Sequence, residues 1–395
     1  MPAPQRELIH LIAPSGHPNY GDELIVSAWL RFLARRRPRA RVVLDCHTPG
    51  VAAALHRGEH PGLLAVDTTF RVGVRAAADA GGDPAAAVAR ARAILADPAL
   101  FAQVAVNLDW ARRAEVVHVL GGGWINDLWP AHAAVLAAAG ELGRTRVATG
   151  QGLVPGESLA AALAGVWPRF DLVDVRDGPS RALVPAGASA TGDDAWLGLA
   201  AGPAGLPASR ARPVVLAAQA DLLAEGDPAA LAGRILAILR DWGVSGEDLA
   251  VLECIPDTDL VVWREIAAAA PDLAAGARIV GFPELLAHGL PARPGQRWLS
   301  TRYHPHLVAA ARGAAGVALD VHAGGYYAVK HGAVAAAGSG WPVVDGRTPA
   351  RPGPGFDPAA ARAAEAAKTA LAERIYPRRG RFSRVPRRRG RPPRR

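Results

Sequence analysis

At 395 residues the chain is long enough for about two domains, each with its own core. Its formal charge of +9 is carried by the end of the chain: ten arginines and no acidic residue stand between Pro377 and Arg395, and without them 35 basic residues face 36 acidic ones. A near-neutral body excludes a fold built around nucleic acid. The two cysteines, Cys46 and Cys254, give neither a disulfide framework nor a cysteine-based zinc site, and no stretch reaches the roughly 18 uninterrupted apolar residues of a membrane span.

Leu8 to Ala13 reads as a short buried strand, broken by Pro14, Ser15 and Gly16, too short for a signal sequence. A loop then leads into an apolar-periodic helix, Leu24 to Ala34. Strand, glycine-containing loop and helix is how a nucleotide-type half begins, although the loop carries neither a dinucleotide fingerprint nor a P-loop. Asn19, Gly21 and Asp22 suit either the turn and N-cap of that helix or hydroxyl recognition by a cleft-facing loop. Arg41 to Leu44 and Leu63 to Val66 are further strands, and the alanine-rich stretch from Arg75 to Leu108 is helical, with starts at Asp83-Pro84 and Asp97-Pro98.

Val116 to Leu120 is continuously apolar, as in a parallel sheet covered on both faces. It runs into Gly121-Gly122-Gly123, where backbone amides can approach a ligand closely. Strands follow at Val147 to Gly150 and Asp171 to Val175, the latter ending in Arg176-Asp177-Gly178-Pro179-Ser180. Gly192-Asp193-Asp194 suits a solvated turn as well as a site. Residues 201 to 212 read as a linker, after which strand and helix alternate again.

Late in this second run, Trp298 to Thr301 is a strand that leads into Arg302-Tyr303-His304-Pro305-His306 and a helix from His306 to Arg312. An arginine and a histidine at a strand end, before the unpaired amides of a helix start, suit an anion and a proton donor. The expected architecture is α/β: two doubly wound halves facing each other across a cleft. Residues 1–200 form the first half, 201–212 the linker, 213–350 the second half, 351–375 a C-terminal helix and 376–395 a basic tail whose composition predicts disorder.

Four motifs occur in order: Asn19-Tyr20-Gly21-Asp22-Glu23, Gly121-Gly122-Gly123, Val175-Arg176-Asp177 with Ser180, and Ser300-Thr301-Arg302-Tyr303-His304. Together they resemble the polysaccharide pyruvyl transferase family, over roughly residues 8 to 330. The resemblance implies a two-domain enzyme of the glycosyltransferase-B type, with phosphoenolpyruvate as donor and no cofactor or metal. Its pyruvyl carbon would join two hydroxyls of a sugar as a cyclic ketal, in a cell-wall or exopolysaccharide precursor, with release of phosphate. It further implies that Arg176 and Arg302 hold the donor and that His304 is the general acid. Asn19, Gly21, Asp22 and the three glycines would line the substrate site, the Asn19 to Asp22 loop facing a sugar or lipid-linked saccharide.

The chemistry is consistent with that set of residues. A donor with close to three negative charges calls for arginines, and ketal formation requires protonation of the enol methylene carbon as a hydroxyl attacks its neighbour. His306 departs from the family pattern and, with Asp320 and His322 close by, leaves an ion site open. The location expected is cytoplasmic, with the tail offering a peripheral contact to the inner face of the membrane and no specific nucleic-acid partner. A nucleotide-sugar glycosyltransferase of the same architecture and a non-catalytic sugar- or anion-binding protein are the alternatives. Trp124, Trp129, Trp196 and Trp341 are the candidates for stacking on sugar rings.

Overall fold

A computed structural model describes residues 6–199, 211–223, 226–322 and 325–378. All but the last two residues of the expected linker, and the basic tail beyond Arg378, lie outside the described residues.

Six strands of the first half form one parallel sheet: β1 (Leu8–Ile12), β2 (Arg41–Asp45), β3 (Leu63–Val66), β4 (Val116–Val119), β5 (Thr145–Gln151) and β6 (Leu172–Val175). Six more, β7 (Val214–Ala217), β8 (Leu249–Leu252), β9 (Arg278–Val280), β10 (Arg297–Ser300), β11 (Ala315–Leu319) and β12 (Val343–Val344), form the second. The strand orders are β3-β2-β1-β4-β5-β6 and β12-β11-β10-β7-β8-β9. Counted from β7, the second order repeats the first, so each half is wound in the Rossmann manner and reverses direction between its first and fourth strands. The apolar runs of β4 and β7 are buried along their whole length because helices cover both faces of each sheet.

The elements differ from their sequence pattern mainly at the ends. The first helix spans Tyr20–Arg36 because Asn19 caps it: the Asn19 side chain accepts from the Gly21 amide at 3.1 Å, and Asp22 and Glu23 fall in the first turn. Asp83 and Asp97 cap two successive helical segments in the same way. The helix after β10 begins at Tyr303, three residues before the expected His306. Among the elements that escape the pattern are the helices Pro49–Leu55, His132–Ala139 and Glu157–Ala164, the helix Tyr326–Ala336, entered through a left-handed Gly325, and the two-residue strand β12.

The last helix, Pro358–Ile375, packs on the first half. Tyr376 lies among Trp29, Phe32 and His118. Lys368, fully buried, donates to Asp174 at 2.9 Å and to Asp194 at 3.0 Å. Asp194 accepts as well from Trp29 Nε1, Thr149 Oγ1 and the Gly121 amide, which ties the helix to the turn after β4. Removing one partner of a buried charge group leaves the others uncompensated. Lys368→Met is therefore expected to lower stability by about 3–5 kcal/mol, read from urea denaturation. A change under about 1 kcal/mol would show that the buried charges contribute little.

Candidate active site

A cleft of about 640 Å³ opens between the carboxyl ends of the two sheets. The strands flanking the two reversal points deliver its walls. β1 leads to Pro14, Asn19, Gly21 and Asp22, β4 to Gly123 and Trp124, β7 to Gln219 and Asp221, and β10 to Arg302, Tyr303 and His304. Glu23 fixes the first of these loops: it is fully buried and accepts from Ser15 Oγ at 2.6 Å and the Gly16 amide at 2.8 Å.

His304 lies between the Asn19–Asp22 loop and Asp193, with Nε2 3.4 Å from Asp193 Oδ1. Gly21 is a glycine for a steric reason: a Cβ there would sit 1.8 Å from the His304 Nδ1. Burial pushes the Asp193 carboxyl up, but His304 and Arg176 outweigh it and bring it down to about 2, so a carboxylate is always present beside the imidazole. Asp22 is the opposite case. Burial, with help from Glu23 and Asp193 and against the pull of His304 and Lys330, pushes it up to about 6. A carboxyl that titrates near neutrality therefore lines the cleft beside His304.

Two positions separate His304 from His306, which turns them to opposite faces of the helix Tyr303–Ala311. His306 is fully buried, bonded to His331 at 3.0 Å and to Ser339 at 2.9 Å, and stacked on Trp341. His331 in turn bonds the Thr301 carbonyl at 3.2 Å, so the pair braces the segment that carries Arg302. Among the described residues no three His, Cys, Asp or Glu side chains form a group that could hold a metal ion.

Three cations converge from both halves. Arg176 leaves the end of β6, donates to Asp177 at 2.9 Å and lies over the Tyr303 ring at 4.4 Å. It passes where a Cβ on Gly152 would come within 2.3 Å of its guanidinium carbon. Arg302 donates through Nε and Nη2 to Asp259 and through Nη1 to Asp221. The fork expected to grip an anion is thus largely taken up by Asp259, and Arg302 presents its remaining edge to the cleft. Lys330, on the helix Tyr326–Ala336, is the cation that sequence reasoning missed. Its ammonium lies 4.0 Å from the centre of the Tyr326 ring and makes no ion pair among the described residues. Burial, then the neighbouring Arg176, holds its pKa well below the ordinary value for lysine. A signal was available: the chain has only two lysines, Lys330 and Lys368, amid its many arginines, and each sits inside a charged cluster.

The wall from the first half has a different character. His47, Trp124, Trp129 and His132 line it. Phe70 stacks on Trp124 at 5.4 Å and packs against both histidines. Burial and His132 bring His47 down to about 4, and burial lowers His132 too, so both rings are neutral at pH 7. Trp129 is 39% exposed, whereas Trp196 and Trp341 are core residues away from the cleft. Of the glycine triplet, Gly123 lines the cleft; Gly121 donates to Asp194, and Gly122, at φ 120°, bridges to Gln151.

Two facing Rossmann-type halves with a cleft between their strand ends define the glycosyltransferase-B class of fold. The profile of the polysaccharide pyruvyl transferase family matches residues 19–242, more than half of the chain, and the chain belongs to that family. The matched segment contains Asp22, Gly123 and Arg176 and ends before Arg302, His304 and Lys330, whose place in the site rests on the geometry above. No curated protein matches significantly. Among solved structures, a UDP-N-acetylglucosamine 2-epimerase aligns at 13% identity and TM-score 0.50, over 94% of this chain and 96% of the other. The glycosyltransferase SnogD from Streptomyces nogalater aligns at 16% identity and TM-score 0.44, over 93% and 95%. MurG of Acinetobacter baumannii aligns at 12% identity and TM-score 0.43, over 94% and 92%. At such identities the likeness concerns the fold alone.

Proposed function

We propose that the chain moves the pyruvyl group of phosphoenolpyruvate onto a sugar of a cell-wall or exopolysaccharide precursor as a ketal and releases phosphate. The observation that carries this reading is the division of the cleft. One side gathers Arg176, Arg302 and Lys330, a receptor for a small polyanion. The other is aromatic and uncharged, suited to the hydroxyls and apolar faces of a sugar ring, with the exposed Trp129 as its platform. His304 and Asp22 stand between them.

In the first step His304 gives a proton to the methylene carbon of the donor while an acceptor hydroxyl oxygen bonds to the adjacent carbon. Asp22, ionised near neutrality, takes the hydroxyl proton. In the second, the neighbouring hydroxyl oxygen bonds to the same carbon as its proton passes to His304, neutral since the first step, and the bond to the phosphate oxygen breaks, which closes the ketal and restores the acid. Asp193 Oδ1, 3.4 Å from His304 Nε2, holds the imidazole in place between the two sides. No cofactor or metal is needed for this sequence.

Calorimetry tests the donor assignment. Phosphoenolpyruvate should bind and UDP- or GDP-sugars should not; the reverse would move the assignment to glycosyl transfer. Because Lys330 is held well below its ordinary pKa without a ligand, a bound trianion raises it, and binding takes up protons. Above neutral pH, where the donor's phosphate is fully ionised, heats measured across a pH series in buffers of different ionisation enthalpy should report an uptake, at the pH values lying between the free and the bound pKa of Lys330, that disappears in Lys330→Met. Release, or no proton change, would contradict this role of Lys330.

A further inference from the structure

The end of the first half opposite the cleft carries a second, chemically distinct surface. There the amino ends of β1, β2, β4 and β5 border a groove of about 600 Å³ lined by Arg6, Arg41, Arg112, Arg113, Arg144 and Trp110, with Glu115 as the one carboxylate of its lining. The body is neutral only as a whole; Arg113 pairs with Asp109 at 2.7 Å, yet the lining still sets five arginines against one carboxylate. We propose that the groove docks the protein on an anionic phospholipid surface. The proposal is independent of the reaction assigned to the cleft.

Two further observations select this occupant. The first is the course of the chain. Arg36 Nε donates to the Tyr376 carbonyl at 2.7 Å and Arg37 Nη2 to the Pro377 carbonyl at 2.6 Å. These arginines end the first helix and lie just before Arg41, the first residue of β2. The chain therefore leaves the described body at the same pole, and residues 379–395 carry nine more arginines.

The second observation is apolar. Val106, Trp110 and Arg113 are spaced four and three apart on the helix Ala105–Arg113 and share a face. Val106 is 78% exposed, and the Arg41 guanidinium lies 5.3 Å from the centre of the Trp110 ring. A bare aliphatic side chain beside an aromatic ring and arginines is the composition of an interfacial surface, where the apolar groups enter the headgroup boundary and the cations meet phosphate. A nucleic-acid backbone would use the charge and the ring, but has no use for the valine.

The test is sedimentation of the full chain with phosphatidylcholine vesicles, with and without phosphatidylglycerol. The parent should bind only the anionic vesicles, and less as salt rises. Arg41→Glu with Arg144→Glu, tail intact, should weaken binding about thirty-fold or more, since each basic residue at such a surface contributes roughly five-fold. Val106→Asp, at a position too exposed to disturb folding, should weaken it several-fold. The chain ending at Pro377 should still bind, more weakly. Parental binding by the groove variants, with unchanged unfolding transitions, would assign the contact to the tail alone and overturn the proposal. Tighter binding to a duplex oligonucleotide than to vesicles would overturn it in favour of nucleic acid.

Discussion

His304→Ala lowers turnover by about a hundred- to ten-thousand-fold, the range of a positioned general acid, and leaves affinity for phosphoenolpyruvate within a few-fold. The proton goes to carbon, where water is a poor substitute for a placed donor. Gly21→Ala is the companion result. Its added Cβ would fall 1.8 Å from the His304 Nδ1, so the imidazole must leave its position beside Asp193. Turnover should fall nearly as far. Stability should hardly change, because Gly21 lies in the first turn of a helix, where alanine is an acceptable residue. Single-turnover kinetics with released phosphate as the readout separates the cases. Parental turnover in either variant would remove His304 from the acid role.

Lys330→Met weakens donor binding about ten- to a hundred-fold, the effect of losing one charge-assisted contact to a trianion. It is a cleaner probe than Arg302→Ala. Arg302 is bonded to Asp259, which is 1% exposed, so its removal strands a buried carboxylate and mixes lost binding with lost stability. Lys330 has no such partner among the described residues, and methionine preserves most of its stem against Tyr326. Titration calorimetry, with the unfolding temperature followed in parallel, distinguishes the two. Unaltered affinity in Lys330→Met would mean that the arginines alone hold the donor.

Much of the architecture is legible in the chain because its parallel strands are short apolar runs bounded by glycine, proline and aspartate. Val116–Val119 and Val214–Ala217 stand out for that reason, and the restart of alternation after residue 212 implies the second half. The helix Tyr326–Ala336 is harder to see, and Lys330 is carried on it. The site is legible where a motif joins a strand end to a helix start, as at Arg302–His304. It is illegible where function depends on which way neighbours point. Asp193 and Asp194 look alike in sequence, yet one faces His304 and the other faces inward to Lys368. His304 and His306 divide in the same manner. The carboxylates that occupy Arg302 come from other strand ends, Asp221 after β7 and Asp259 after β8, and only the fold brings them together.

The clasp between the last helix and the first half has a consequence for synthesis. Lys368 follows Asp174 by 194 residues and Asp194 by 174. At roughly 5–20 residues per second, the ribosome makes those two aspartates about ten to forty seconds before the lysine that bonds them both. Until then Asp174 and Asp194 lack the cation that lies between them beneath the turn leading to Gly123. The half that begins the chain therefore completes its interior only when the end of the chain arrives, and a truncated product would lack the charge that makes the first half whole.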